Sequence, residues 1–201
     1  MPVPVPVSDS DRGPVPAGRD PDEYDRLRRR VLWSLPTGLF VVGSRAGERR
    51  NLMTCNWVMQ VAITPKLVAV AVERGSVTRG LIDQGGGFSV SVLGRADRAL
   101  VRRFVKPVEA VELDTEGVAV SLQGEPVREV AGGLPCLAAA VSWLSCRVRH
   151  TSEWGAGDGG PASHVLFVGE VVDAGEREPS DGPGGGPEVL RMEDTRMNYG
   201  G

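Results

Sequence analysis

Hydrophobic positions recur in short bursts along this chain, and Gly, Pro and Asp punctuate the gaps between them. The bursts fall at 38–43, 51–63, 67–73, 87–93, 118–122, 137–149 and 164–172, each dense in Val, Leu or Phe. Many short strands with turn signals between them predict a mainly β domain, a barrel or a sandwich. In "FSVSVL" Phe88, Val90 and Val92 share one face and Ser89 and Ser91 the other. "LVAVAV", at 67–72, has no polar face, which places it at the centre of the fold with both sides covered.

A different period governs 20–36. Acidic residues open this stretch, Tyr24, Leu27, Val31 and Leu32 recur at helical spacing, and Pro36 ends it. It reads as one amphipathic helix whose Arg26, Arg28, Arg29 and Arg30 form a solvated face or a site for an acidic partner. Two further helices are expected among the strands, one after Ser76 and one over 95–104. "EWGAGDGGPAS" and "GEREPSDGPGGGP" read as loops, and 173–187 as a mobile one. The opening Pro-Val repeat and its acidic, Gly-containing continuation set 1–19 apart as a disordered tail, leaving 20–201 as a single domain.

Composition narrows the function classes. With 201 residues and 41% hydrophobic content the chain can bury a sizeable core. A net charge of -3 offers no general attraction to nucleic acid or to anionic lipid, so neither is expected as a partner. No apolar run approaches the roughly 20 residues needed to cross a bilayer, and "MPVPVPVSDSDRG" lacks the parts of a signal peptide. Cys55, Cys136 and Cys146 sit in apolar surroundings with no CxxC spacing, which fits reduced thiols in a cytoplasm. Only His150 and His164 are present, so a three-histidine metal site is excluded and no metal is expected. A dinucleotide-binding GxGxxG opening a helix after a strand, a P-loop and a GxSxG elbow are all missing.

The chemistry-bearing stretch is "NLMTCNWVMQVAITPKLVAVAV". As one strand over 51–63, it would carry Met53, Cys55, Trp57, Met59, Val61 and Ile63 on an apolar core face. Leu52, Thr54, Asn56, Val58, Gln60 and Ala62 would share the other face, whose polar groups are short and uncharged. Such groups suit a ligand held close to the backbone, or a sheet surface covered by another element or subunit. In "ERGSVTRGLI", Ser76 reads as an N-cap that leaves amide donors unpaired in the first helical turn. Arg79 there opposes the helix dipole, and an anion would reverse that sign. Ser76, Thr78 and Arg79 thus make a candidate phosphate site, with plain capping beside a solvated Arg as the alternative.

The order "TGLFVVGS", "NLMTCNWVMQVAITPKLVAVAV", "ERGSVTRGLI", "GFSVSVL", "LSCRV", "SHVLFVGEV" and "MNYGG" resembles the flavin reductase-like, FMN-binding split-barrel family, over about 24–201. The T-x-[SN]-[WF] strand, Pro turn, aliphatic strand and S-x-T turn are its most specific part. The resemblance implies an antiparallel Greek-key split β-barrel with a few peripheral helices, and a homodimer with flavin near the subunit interface. It implies FMN, or FAD in its place, with NAD(P)H as co-substrate and electrons passed to an acceptor such as a monooxygenase partner. By position it sets Asn51, Leu52, Met53, Thr54, Cys55, Asn56 and Trp57 beside the flavin, with Thr54 and Asn56 as polar contacts. Ser76, Thr78 and Arg79 match the phosphate turn; His164 matches a histidine near flavin or nicotinamide. Tyr199 matches a cover over the pocket, and Phe104 is a further aromatic candidate. Two departures stand out: Ser163 occupies the place before His164 where the family often has Asp, and Cys55 replaces a small residue, where it is expected to pack and do no chemistry. Two other readings stay open, a protein that keeps FMN bound and uses it on its own small substrate or in electron transfer, and a flavin-binding or interaction module without redox turnover.

Overall fold

The computed structural model describes residues 13–155, 160–177 and 188–195. Helix α1 (Pro21–Trp33) starts where Asp20 accepts the Glu23 amide at 2.9 Å, with Pro21 at its first position. None of its residues is buried, and Val31 and Leu32 in its last turn are each 57% exposed. Four strands follow, β1 (Phe40–Ala46), β2 (Arg49–Cys55), β3 (Val58–Ala62) and β4 (Leu67–Glu73). After them come helix α2 (Val77–Gly85) and strand β5 (Gly87–Val92). Gly86 takes the left-handed conformation (φ 70°) that ends α2 and lets the chain turn straight into β5.

Short strands β6 (Val111–Leu113), β7 (Ala119–Leu122), β8 (Glu125–Val130) and β9 (Leu134–Leu137) form one antiparallel sheet. The long strands β10 (Ser142–Gly155) and β11 (Pro161–Glu176) complete a second, ordered β2-β1-β5-β10-β11-β4-β3. All its pairings are antiparallel. Its two outermost strands are consecutive in the chain and joined by Asn56 and Trp57 alone, so the sheet must bend round on itself. This is the mainly β, split-barrel architecture with peripheral helices that the pattern and the resemblance imply.

Apolar burial divides in two. One cluster, with Leu39, Val41, Leu52, Val101, Phe104 and Leu122, packs the small sheet and the chain after β5 against β1 and β2. The other, with Val70, Val72, Ile82, Phe88, Val165 and Phe167, lies beneath α2. As its sequence requires, β4 is covered on both sides, Val68, Ala69, Val70 and Val72 all being buried. Ser89 and Ser91, the polar face of β5, are buried too; Ser89 Oγ donates to the Pro135 carbonyl, and Ser91 Oγ accepts the Leu137 amide.

Several expectations need correction. The 51–63 stretch is two strands, and its second half turns its apolar side outward: Met59, Val61 and Ile63 are 65%, 44% and 78% exposed. The 137–149 stretch breaks into β9 and β10. The helix expected over 95–104 is two 3-10 turns, Arg95–Asp97 and Leu100–Phe104. There the Val101 carbonyl accepts the Thr54 hydroxyl instead of continuing a helix, and Pro107 follows. Both ends of "EWGAGDGGPAS" are strand, 153–155 in β10 and 161–163 in β11 with Gly155 paired to Pro161, and Arg74 holds both arms: its amide donates to Ser163 O and its guanidinium to Ala162 O and Glu153; 156–159 lie outside the described residues. Within 173–187, the first four residues belong to β11, where Ser142, Trp143, Leu144 and Ser145 pair with them; 178–187 lie outside the described residues. Among the described residues no helix is long and apolar enough to cross a membrane.

Candidate functional site

A cavity of about 420 Å³ opens where the end of β2, the start of α2, the head of β11 and the chain after Phe104 converge. Asn51, Leu52, Met53, Thr54, Cys55, Asn56 and Trp57 border it, with Ser76, Thr78, Phe104 and His164, so eleven of the thirteen residues singled out in the sequence meet in one place. Arg79 does not border it, and Tyr199 lies outside the described residues.

The anion end is built by α2. Ser76 caps the helix, its Oγ accepting the Arg79 amide at 3.2 Å. The Val77 and Thr78 amides have no acceptor within the helix, and their end of the helix faces the cavity. Thr78 Oγ1 is fully buried and accepts from Asn51 Nδ2 at 2.8 Å, which leaves the hydroxyl proton to donate. The other end of the same amide, Asn51 Oδ1, accepts the Val108 amide at 2.8 Å. Asn51 therefore holds two walls of the cavity together rather than reaching into it. Arg79 is turned away: its guanidinium bonds Glu153 at 2.9 Å, and Nε lies 2.7 Å from Asp83 Oδ2 as a charge contact without an aligned hydrogen bond.

The polar face expected of β2 divides in the same way. Thr54 is buried, and its hydroxyl donates to the Val101 carbonyl at 2.5 Å, inward and away from any ligand. Asn56, half-buried, makes no side-chain hydrogen bond among the described residues and borders a second cavity as well. Cys55 is buried, its Sγ donating to the Ala71 carbonyl at 3.6 Å, and burial pushes its thiol up to about 12. That is the packing thiol expected.

His164 stands edge-on to Trp57, with ring centroids 4.6 Å apart, and shares a hydrogen bond between Nδ1 and Ser163 Oγ at 2.9 Å. Burial lowers its pKa below the ordinary value, opposed by the carboxylate of Glu73, its partner across β4 and β11. Burial thus favours the neutral imidazole. Ser163, standing where a carboxylate was expected, orients one ring nitrogen.

The sequence reading missed Ala71, Glu73, Gly75, Val77, Val105, Lys106 and Pro107 on the cavity wall. A signal existed for two: alternation along β4 sets small Ala71 and charged Glu73 on one face, opposite the valines. None existed for Lys106, which only tertiary packing brings in. No group of three His, Cys, Asp or Glu side chains able to hold a metal occurs among the described residues.

The site's chemistry is a helix end for an anion, an aromatic pair at the wall and short polar side chains, with Glu73 and Lys106 as its charged members, which suits a planar ligand carrying a phosphate. The family described as Flavin reductase like domain matches residues 32–197, and the chain belongs to it. An NADH-dependent FAD reductase from Streptomyces globisporus is 30% identical over 154 residues, 76% of this chain and 78% of that protein. The NADH-dependent FMN reductase AsuE2 from Streptomyces nodosus subsp. asukaensis is 31% identical over 175 residues, 87% and 84% of the two chains. Among solved structures, the Streptomyces globisporus C-1027 NADH:FAD oxidoreductase SgcE6 superposes with a TM-score of 0.67 at 27% identity, covering 91% of this chain and 95% of that one.

Proposed function

We propose that this protein is an NAD(P)H-dependent flavin reductase that passes electrons from its reduced flavin to a partner such as a monooxygenase, or to another acceptor. The observation that carries this reading is the single cavity in which the α2 N-terminus and the Asn56, Trp57 and His164 wall face one space. Ser76, Val77 and Thr78 hold the flavin phosphate, with the helix end supplying the positive potential that Arg79, bound to Glu153, does not. Asn56 and the neighbouring backbone meet the polar edge of the ring, Phe104 packs beneath, and Trp57 and His164 border the face open to the nicotinamide. A flavin bound here would supply hydride acceptance at N5, the protein contributing orientation and electrostatics. The phosphate arm is common to FMN and FAD, and FMN is the flavin of this reading, with FAD in its place as the alternative.

The working unit of this reading is a homodimer. Leu32 and Trp33 at the end of α1 and Leu35 just after it form, with Asn56, Trp57 and Met192, a second cavity of about 420 Å³ that shares Asn56 and Trp57 with the first. A second subunit seated there would cover the apolar side of β3 and close the flavin site. Three free, buried thiols suit a reducing cytoplasm.

The decisive experiment is anaerobic rapid mixing of the protein with NADH and with NADPH, in the presence of FMN or FAD. Fast bleaching of the flavin by one nicotinamide is expected. Colour that persists for minutes with both would replace this reading with that of a flavoprotein acting on its own substrate.

A further inference from the structure

Hydride transfer from a nicotinamide to a flavin separates charge. The C4–H bond breaks with its electron pair and the N5–H bond forms, leaving the nicotinamide ring a cation and the flavin ring an anion. Groups fixed in advance where such charges grow lower the barrier, because nothing need reorganise as they form.

The cavity wall carries one carboxylate, Glu73, and one ammonium, Lys106, from different elements. Neither is in a salt bridge among the described residues. The two arginines that follow Glu73 most closely are already paired: Arg74 and Arg79 both bind Glu153, and Arg79 also contacts Asp83. Glu73 is thus the uncompensated anion beside His164, its cross-strand partner. Lys106 is held from both sides, with Phe104 fully buried two residues before it and the Val108 amide bound to Asn51 Oδ1 two residues after.

Resting on the reductase reading, we infer that Glu73 stabilises the positive charge that appears on the nicotinamide ring and Lys106 the negative charge that appears on the flavin. The pair is a charge template for the products of hydride transfer. Their side chains are exposed, which limits the effect and makes it sensitive to salt.

The test uses Glu73→Gln and Lys106→Met in the flavin-loaded full chain, with three readouts: flavin affinity by fluorescence quenching, anaerobic flavin reduction at saturating nicotinamide, and sulfite affinity. Sulfite adds to flavin N5 and leaves the ring negatively charged, so it reports on Lys106 without any nicotinamide. Each variant is expected to slow reduction about tenfold, less than the ~100-fold of a buried donor, with flavin affinity held within about twofold. Lys106→Met should also weaken sulfite binding about tenfold, and Glu73→Gln should not. Added salt should slow the parent protein more than either variant.

Changes confined to flavin affinity or nicotinamide KM, with saturated reduction and sulfite affinity untouched, would reassign both residues to ligand binding alone and overturn the inference. Variants indistinguishable from an active parent overturn it as well, and leave the reductase reading standing. A parent protein that binds flavin but oxidises neither nicotinamide sinks that reading, and the inference with it.

Discussion

Asn51 carries more of this site than Thr54 or Asn56 in the same stretch, because its amide is used at both ends. It donates to Thr78 at the anion end and accepts from Val108 beside Lys106, while being 3% exposed. Asn51→Ala strands a buried hydroxyl and a backbone amide, at about 1 to 3 kcal/mol for each group left unpaired. Flavin affinity is expected to fall at least tenfold by fluorescence titration; Asn51→Asp keeps the acceptor for Val108 and loses the donor to Thr78. An alanine variant with parental flavin affinity would show that the walls hold without it. The cysteines point to a different observable. Burial holds Cys55 and Cys146 at about 12 against an ordinary 9.0, and Cys136 is raised as well. In the unfolded chain these thiols ionise from pH 9 upward while the folded ones stay protonated, so stability is intact below pH 9 and is lost as pH climbs toward 12. Each of Cys55 and Cys146 contributes a loss of about 1.4 kcal/mol per pH unit in that window. Urea denaturation at pH 8 and pH 10 should resolve it, and Cys55→Ala should reduce the slope without abolishing flavin binding.

At the scale of elements, the small sheet is tied to the large one by charge as well as by apolar packing. Glu129 on β8 accepts from Arg45 on β1 at 2.7 Å, from Arg50 on β2 at 2.6 Å and from the Ala119 amide of β7 at 3.1 Å. The Arg50 side chain is only 2% exposed and also bonds the Glu48 and Gly117 carbonyls. Removing the carboxylate leaves a buried guanidinium without its counter-charge, so Glu129→Ala is expected to cost about 3 to 5 kcal/mol in urea unfolding. Glu129→Gln should cost less, since it retains an acceptor for Ala119. A loss below about 1 kcal/mol would mean that Arg50 regains water once the pair is broken. None of this network was legible in the sequence, where Arg45 and Arg50 are ordinary charged residues lying 84 and 79 positions before Glu129. What was legible had local causes. β4 and β5 could be read because both their faces are covered, and the Ser76 turn because capping chemistry is written in consecutive residues. The 51–63 stretch misled because alternation assigns two faces without saying which is covered, and because Asn56 and Trp57 carry the chain from one edge of the sheet to the other.

For the whole molecule, the question is what covers the apolar surface that folding leaves out. Val31, Leu32 and Leu35 at the end of α1 are 57%, 57% and 61% exposed, and Ile63 beyond β3 reaches 78%. β3 is an outermost strand of its sheet, and an uncharged apolar edge of this kind is normally protected. Burying roughly 800 Å² on each partner is what a stable pair of subunits needs, and large exposed apolar side chains on two elements sharing Trp57 are suited to supply it. Met59→Glu combined with Ile63→Glu places a charge on either side of that surface without touching the cavity wall. The double variant is expected to sediment as a monomer where the parent protein is a dimer, with its far-ultraviolet dichroism unchanged. Because Asn56 and Trp57 border both cavities, the same variant should bind flavin at least tenfold more weakly, and raising its concentration should restore part of that affinity. A folded monomer with full flavin affinity would separate the two cavities, leaving the flavin site complete within one subunit. A dimer that survives both charges would place the subunit contact elsewhere and leave the apolar side of β3 without its proposed partner.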